Sequence, residues 1–288
     1  MTTTTLSPAR PATRPAAEPA PRFTDLLAAE WIKLRSLRST YLVLALAVLA
    51  AIAINLNAVH TDLTYIDQPH PQLPGFPPYK YDPLYHGLNS ISGALMALAA
   101  GSFGAITVFG EYTTGMIRTT FAAVPDRRGV IVAKVTLVTG ITLAAGTIVS
   151  VTSFFGSNAM LASRHVGLSI TDDGCLRAVV AYAVLVPVCA LIGMALGALV
   201  RHATASIVSL VMLLFIVPML FGGDRYRWLK EIGNHLPLAA EGRLAVNPNS
   251  YTTMGKYAPT LLDCWITLGV WAVVATVAAV VVVRRRDV

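Results

Sequence analysis

The sequence predicts an all-α fold: a polytopic membrane protein with six transmembrane helices, an amphipathic interfacial helix ahead of them and one short polar helix between the second and third spans. Three observations lead there. The chain of 288 residues is 55% hydrophobic and only 13% charged, about half the charged fraction of a soluble domain. Its mean hydropathy is +0.62. Apolar runs recur near 40–57, 88–110, 132–155, 178–200, 204–222 and 261–283. Each is close to the ~20 residues that cross ~30 Å of hydrocarbon at 1.5 Å per residue, the first barely so.

Residues 1–22, "MTTTTLSPARPATRPAAEPAPR", alternate Pro, Ala and Thr with scattered Arg. They hold almost nothing a core could bury and read as a disordered tail. The first apolar run begins only near Tyr41, which argues against a cleavable signal peptide.

Residues 23–38, "FTDLLAAEWIKLRSLR", put Phe23, Leu26, Leu27, Trp31, Leu34 and Leu37 at helical spacing, with Asp25, Arg35 and Ser36 opposite. Trp31, Lys33, Arg35 and Arg38 suit the headgroup level of a lipid membrane. Glu30 falls inside the apolar stripe. Two readings stand: an i,i+3 pair with Lys33, or a contact to another subunit or a neighbouring polar loop. Residues 39–288 then form one membrane domain.

Within the spans, Gly93, Ala97 and Gly101 repeat every four positions, as do Gly193 and Gly197. Such ladders let helix backbones approach closely. The third run carries Thr136, Thr139, Thr142, Thr147, Ser150 and Ser153. These hydroxyls either bond their own backbone or line a mildly polar path. Pro187 and Pro218 predict kinks in the fourth and fifth helices. The fourth and fifth runs are separated only by "RHA", a tight helical hairpin.

Orientation follows from the bases. With the amino terminus inside, 14 of the 22 Lys and Arg fall on the cytoplasmic side, leaving 8 outside. The terminal "RRR" is the firmest anchor. Both termini are therefore expected in the cytoplasm of a cell whose plasma membrane this chain crosses. The net charge of +7 does not imply nucleic acid. The bases gather at the ends of apolar runs, and no basic-aromatic stripe lies on a soluble segment.

On the outer side, 58–87 is rich in Pro, Tyr, His and Asp. His60, His70 and His86 with Asp62, Asp67 and Asp82 are too irregularly spaced for a metal site. In 223–260, Leu229, Ile232 and Leu236 predict a short helix floating on the outer surface. Cys175, Cys189 and Cys264 form no metal-ligand pattern; Cys189 is a small packing residue, and a bridge between Cys175 and Cys264 is left open.

No G-x-x-x-x-G-K-[ST], H-E-x-x-H or G-x-S-x-G occurs, so no catalytic residue, cofactor or metal is assigned to this chain. Away from their edges the spans also lack Asp, Glu, Lys, Arg and His. Ion-coupled transporters usually carry such a residue mid-membrane, so any transport work is expected to come from outside the chain.

The segment "EYTTGMIRTTFAAVPDRRGVIVAK", 111–134, is polar between two apolar runs. Ile117, Phe121 and Val124 fall at i, i+4 and i+7, a short amphipathic helix. Pro125 and Asp126 turn the chain before Arg127 and Arg128. This pattern of Glu111, Gly115, Pro125, Arg128 and Lys134 resembles the type-two export class of ABC transporter permeases. "AEWIKLRSLRST" is similar to the connecting helix of high-GC bacterial members, and "HLPLAAEGRL" to their outer amphipathic segment. The resemblance covers about residues 23–283.

The resemblance implies a six-span permease without its own ATPase. It would pair with a second permease copy and dock separate ATP-binding subunits through 111–131, with ATP bound on the partner. Glu111 would cap the coupling helix or make a charged contact shared with Glu30. Arg118 and Arg127 are candidates for contacts with the ATPase surface or anionic lipid. Thr113 and Thr114 stand where many members have charges. Two further functions stay open beside ATP-driven export: a non-transporting membrane sensor or signal-relay subunit, and a membrane enzyme working in the outer loop.

Overall fold

The computed structural model describes residues 22–66, 81–123, 126–221, 226–248 and 256–285, with the side chains of Tyr65, Arg118, Phe121, Ala123 and Arg285 excepted. The expected tail, apart from Arg22, lies outside these residues, as do His70, Asp67, Val124 and Pro125. The described residues are helical, with no strand among them. Six helices among them are long and apolar enough to cross a membrane.

Helix α1 (Phe23–Ser36) opens with Asp25 accepting from the Arg22 backbone N–H at 2.9 Å, which satisfies one orphan donor of the first turn. It buries Leu26, Glu30 and Leu34, one face at i, i+4 and i+8, against α6. The predicted stripe is therefore only partly buried: Phe23, Trp31 and Leu37 are exposed. The face that carries Glu30 is the one turned inward.

After Leu37 the chain restarts as α2 (Arg38–Ile66). At 29 residues it is about 43 Å long, well beyond the apolar run that predicts it, because the helix continues through Asn57, His60 and Asp62. Helix α3 (Pro83–Gly87) is capped by Asp82, which accepts from the Leu84 and Tyr85 N–H groups. Asn89 caps α4 (Ser90–Thr113). Helix α5 (Met116–Ala123) and the long α6 (Arg127–Leu161) follow, with Asp126 accepting from Gly129 N–H at 3.1 Å.

Helix α7 (Cys175–Val200) is the hub of the bundle and is mostly buried. A side chain on Gly193 would overlap the Gly101 carbonyl of α4, and one on Gly104 the Ala190 carbonyl of α7. The pairs Gly101–Gly193 and Ala105–Gly197 advance together along the chain, so α4 and α7 run parallel with backbones in contact. Gly93 lies against the Tyr182 ring at 3.7 Å, an ordinary distance. Arg201 ends α7 with φ 56°, and α8 (Ala203–Val211) turns back after His202.

A π turn over Met212–Ile216 separates α8 from α9 (Val217–Phe221). Val217 N–H reaches Met212 O, five residues back. Pro218 follows at once and has no N–H for the carbonyl four residues before it; the widened turn is where the helix accommodates that ring.

At the end opposite α1 and α5, the predicted single surface helix is two. Helix α10 (Arg227–Asn234) exposes Trp228 and Ile232, whereas α11 (Pro237–Ala245) packs against α7 and α12 (Leu261–Arg285) and buries Ala240, Glu241 and Leu244. Pro237 forces the division, since it cannot continue α10 but is well suited to a first helical turn. The three cysteines are free and buried.

Candidate functional site

Glu30 and Lys33 lie on one face of α1, three residues apart, and pair at 2.7 Å. That contact is one edge of a closed ring. Lys33 Nζ also reaches Glu111 Oε1 of α4 at 3.2 Å. Lys134 Nζ of α6 reaches Glu30 Oε2 at 2.5 Å and Glu111 Oε1 at 2.9 Å. Each carboxylate touches both ammoniums. Lys33 further donates to Thr120 Oγ1 of α5 at 3.2 Å. Helix α1 is thus joined to the three consecutive helices α4, α5 and α6 through one set of charges.

Glu30 and Lys134 are each 2% exposed, and an unpaired charge at such depth would be expensive. The ring sums to zero, which is what permits the burial. Burial by itself lowers the pKa of Lys33, but the hydrogen bond it donates to Glu30 and the charges of Glu111 and Glu30 outweigh it and hold the ammonium above its ordinary range. Lys33 therefore stays charged across physiological pH. Of the two readings of Glu30, the i,i+3 pair with Lys33 is present; its second partner is Lys134 within helix α6 of the same chain, rather than another subunit or a loop. Glu111 sits in the last turn of α4 as a charged contact.

Gly115 carries the turn between α4 and α5 at φ +71°, a conformation glycine adopts without a steric penalty. Ile117 is 3% exposed and anchors α5 inward, while Thr119 faces out and bonds Met116 O at 2.8 Å. Two cavities flank the ring. One of about 130 Å³ is walled by Leu34, Leu37, Ile106 and Met116. Another of about 320 Å³ lies between α1 and α5 beside Ala29, Thr119 and Val130.

Trp31, Arg35 and Arg128 are exposed and Arg127 half-buried, and none of the four joins the ring. Sequence reasoning named Glu30, Lys33 and Glu111 but gave Lys134 no partner and passed over Thr120. The signal for Lys134 was present: a lysine inside an apolar edge needs an acid, and Glu30 on an apolar stripe needs a base.

Elsewhere in the bundle the hydroxyls mostly serve their own helices. Thr136, Thr142 and Ser150 bond to Val132 O, Val138 O and Thr147 O. Ser153 instead accepts from Asn55 Nδ2 at 2.9 Å, and Asn55 Oδ1 takes the Asn89 N–H at 3.0 Å. His86 meets Asp62 at 2.6 Å, and among the described residues no group of three metal-ligating side chains gathers.

No protein-family model and no curated protein matches this sequence.

Proposed function

We propose that this chain is the membrane-spanning permease subunit of an ATP-driven exporter of the type-two ABC class, taking its work from a separate ATPase subunit that docks on α5. The observation that carries the reading is the four-charge ring. A short helix hung between two spans is a handle only if its displacement is transmitted. Thr120 of α5 is bonded to Lys33, and Lys33 and Lys134 tie α1, α4 and α6 together. A push on α5 is therefore delivered to both spans that flank it and to α1 at once. The parallel contact of α4 with α7 carries it on to the hub.

The test is isolation of the chain from its native membrane with its associated subunits. An ATP-binding protein with a Walker motif is expected to accompany it, and to be lost when residues 111–131 are rewritten as Gly and Ser. An ATPase that stays bound to the rewritten chain overturns the docking assignment. ATP-dependent efflux from vesicles holding both subunits distinguishes an exporter from a signal-relay subunit.

A further inference from the structure

Helix α11 has no part in the coupling reading. At nine residues it is too short to span, yet Leu236, Ala240 and Leu244 bury one face of it, and Glu241 shares that burial at 7% exposure. Both ends are tethered by bonds to backbone carbonyls. Arg177 of α7 donates to Leu244 O at 2.8 Å and Val246 O at 2.6 Å. At the other end Trp271 of α12 donates to His235 O at 2.8 Å, and Asn234 to Tyr257 O at 2.7 Å. A strap fastened at both ends and seated by its middle is a mechanical element in its own right.

Among the described residues, no counter-charge is bonded to the Glu241 carboxyl. From α7 come Tyr182, bonded to Ser92 at 3.1 Å, Cys189, and Arg177, engaged as above. From α12 come Cys264 and Asp263, the latter bonded by Thr260. On the α10 side Arg227 pairs with Glu231 at 2.7 Å, His235 bonds Glu231 O, and Lys230 stands beside them. Helix α4 offers Glu111, held in the ring, and Tyr112, under Arg201, both in its last turn at the far end. Arg243 of α11 itself bonds Pro259 O. Among the described residues, none of these places a donor or cation within bonding distance of Glu241. Burial pushes its carboxyl up to about 7, since desolvation penalises the ionised form.

We propose that Glu241 is a proton-binding site that governs the seat of α11. With the carboxyl protonated, α11 lies against α7 and α12. When the proton leaves to the aqueous phase at that end of the bundle, the carboxylate draws the middle of the strap outward to water while the tethers hold its ends. This places a pH-responsive element at the end of the bundle opposite the charge ring, independent of whether the chain moves cargo.

The experiment is hydrogen–deuterium exchange on the full-length protein in lipid nanodiscs, comparing residues 237–245 at about pH 6 and about pH 8.5 after correction for intrinsic rates. Linkage between an ordinary carboxyl near 4.5 in the unseated strap and one near 7 in the seated strap predicts about tenfold less protection at the higher pH. Glu241→Gln should be protected at both. Equal protection of the native protein at the two pH values overturns the proposal, and so does a Gln variant that keeps the native pH dependence. Should that variant fail to fold, infrared difference spectroscopy of the native protein decides. The carbonyl stretch of a neutral carboxylic acid, lost with a midpoint near 7, is expected; its absence at about pH 6 sinks the site.

Discussion

Replacing Lys134 with Met tests the charge ring most directly. The substitution keeps an unbranched side chain of similar length and removes one ammonium from between Glu30 at 2.5 Å and Glu111 at 2.9 Å. What is left is one lysine facing two carboxylates, with a net charge of −1 where the Glu30 side chain is 3% exposed. Breaking a buried pair by removing one partner costs about 3–5 kcal/mol. The lower end is expected here, because Lys33 still holds Glu30 at 2.7 Å and the Glu111 side chain is 12% exposed.

Glu30→Gln alone leaves the opposite imbalance and should cost about as much. The double variant Glu30→Gln/Lys134→Met restores neutrality, with Lys33 facing Glu111 and no orphaned charge. It should cost only about 1–2 kcal/mol. The coupling energy between the two sites is thus at least about 2 kcal/mol, in the sense that the double variant is more stable than the sum of the singles. The assay is reversible unfolding in mixed micelles by a denaturing detergent, followed by circular dichroism. Strict additivity of the singles would show that these charges do not meet in the folded protein, and the four-helix linkage would fall with it.

Other expectations can be checked with less. Glu241→Gln should raise stability above neutral pH and change it little near pH 4.5, by on the order of 3 kcal/mol at most. The sign follows from a folded carboxyl pushed up to about 7: the native state loses relative stability as pH rises from the ordinary value through the raised one, and an amide has no such loss. A thermal melt at two pH values reads it. Gly193→Leu drives a side chain into the Gly101 carbonyl and should cost about 2–3 kcal/mol, seen as loss of a monodisperse peak in detergent. Gly140→Ala, with nothing within 4 Å of the added methyl, should be neutral or stabilising by about 0.5–1 kcal/mol. Thr119→Cys should react with a membrane-impermeant maleimide in inverted vesicles and not in intact cells. The three native cysteines are buried and give little background, and labelling from outside would place α5 on the wrong side for an ATPase.

Much of this architecture was legible before any coordinates. A run of apolar residues long enough to cross a bilayer has few alternatives to a helix, because hydrocarbon offers no partner for a bare backbone. Gly193 and Gly197 read as a close-approach ladder from spacing alone, although only the structure shows that Gly193 meets Gly101. Glu30 was conspicuous because an acid on an apolar stripe demands a reason. Helix α11 was not legible as a seated element. "HLPLAAEGRL" has the composition of a surface segment, and burial of Glu241 depends on what α7 and α12 present to it.

The division has a physical basis. Hydropathy, helical period and turn residues are local quantities, summed over neighbours in the chain, so the sequence by itself determined that six apolar helices recur along it and that a short polar helix interrupts them between the second and third, although α2 and α6 run well past the apolar runs that predict them. Electrostatic pairing and desolvation are properties of position in space. Lys134 lies 104 residues from Glu30 in the chain, and only the tertiary structure brought them to 2.5 Å, while leaving Glu241 buried with no cation bonded to it among the described residues.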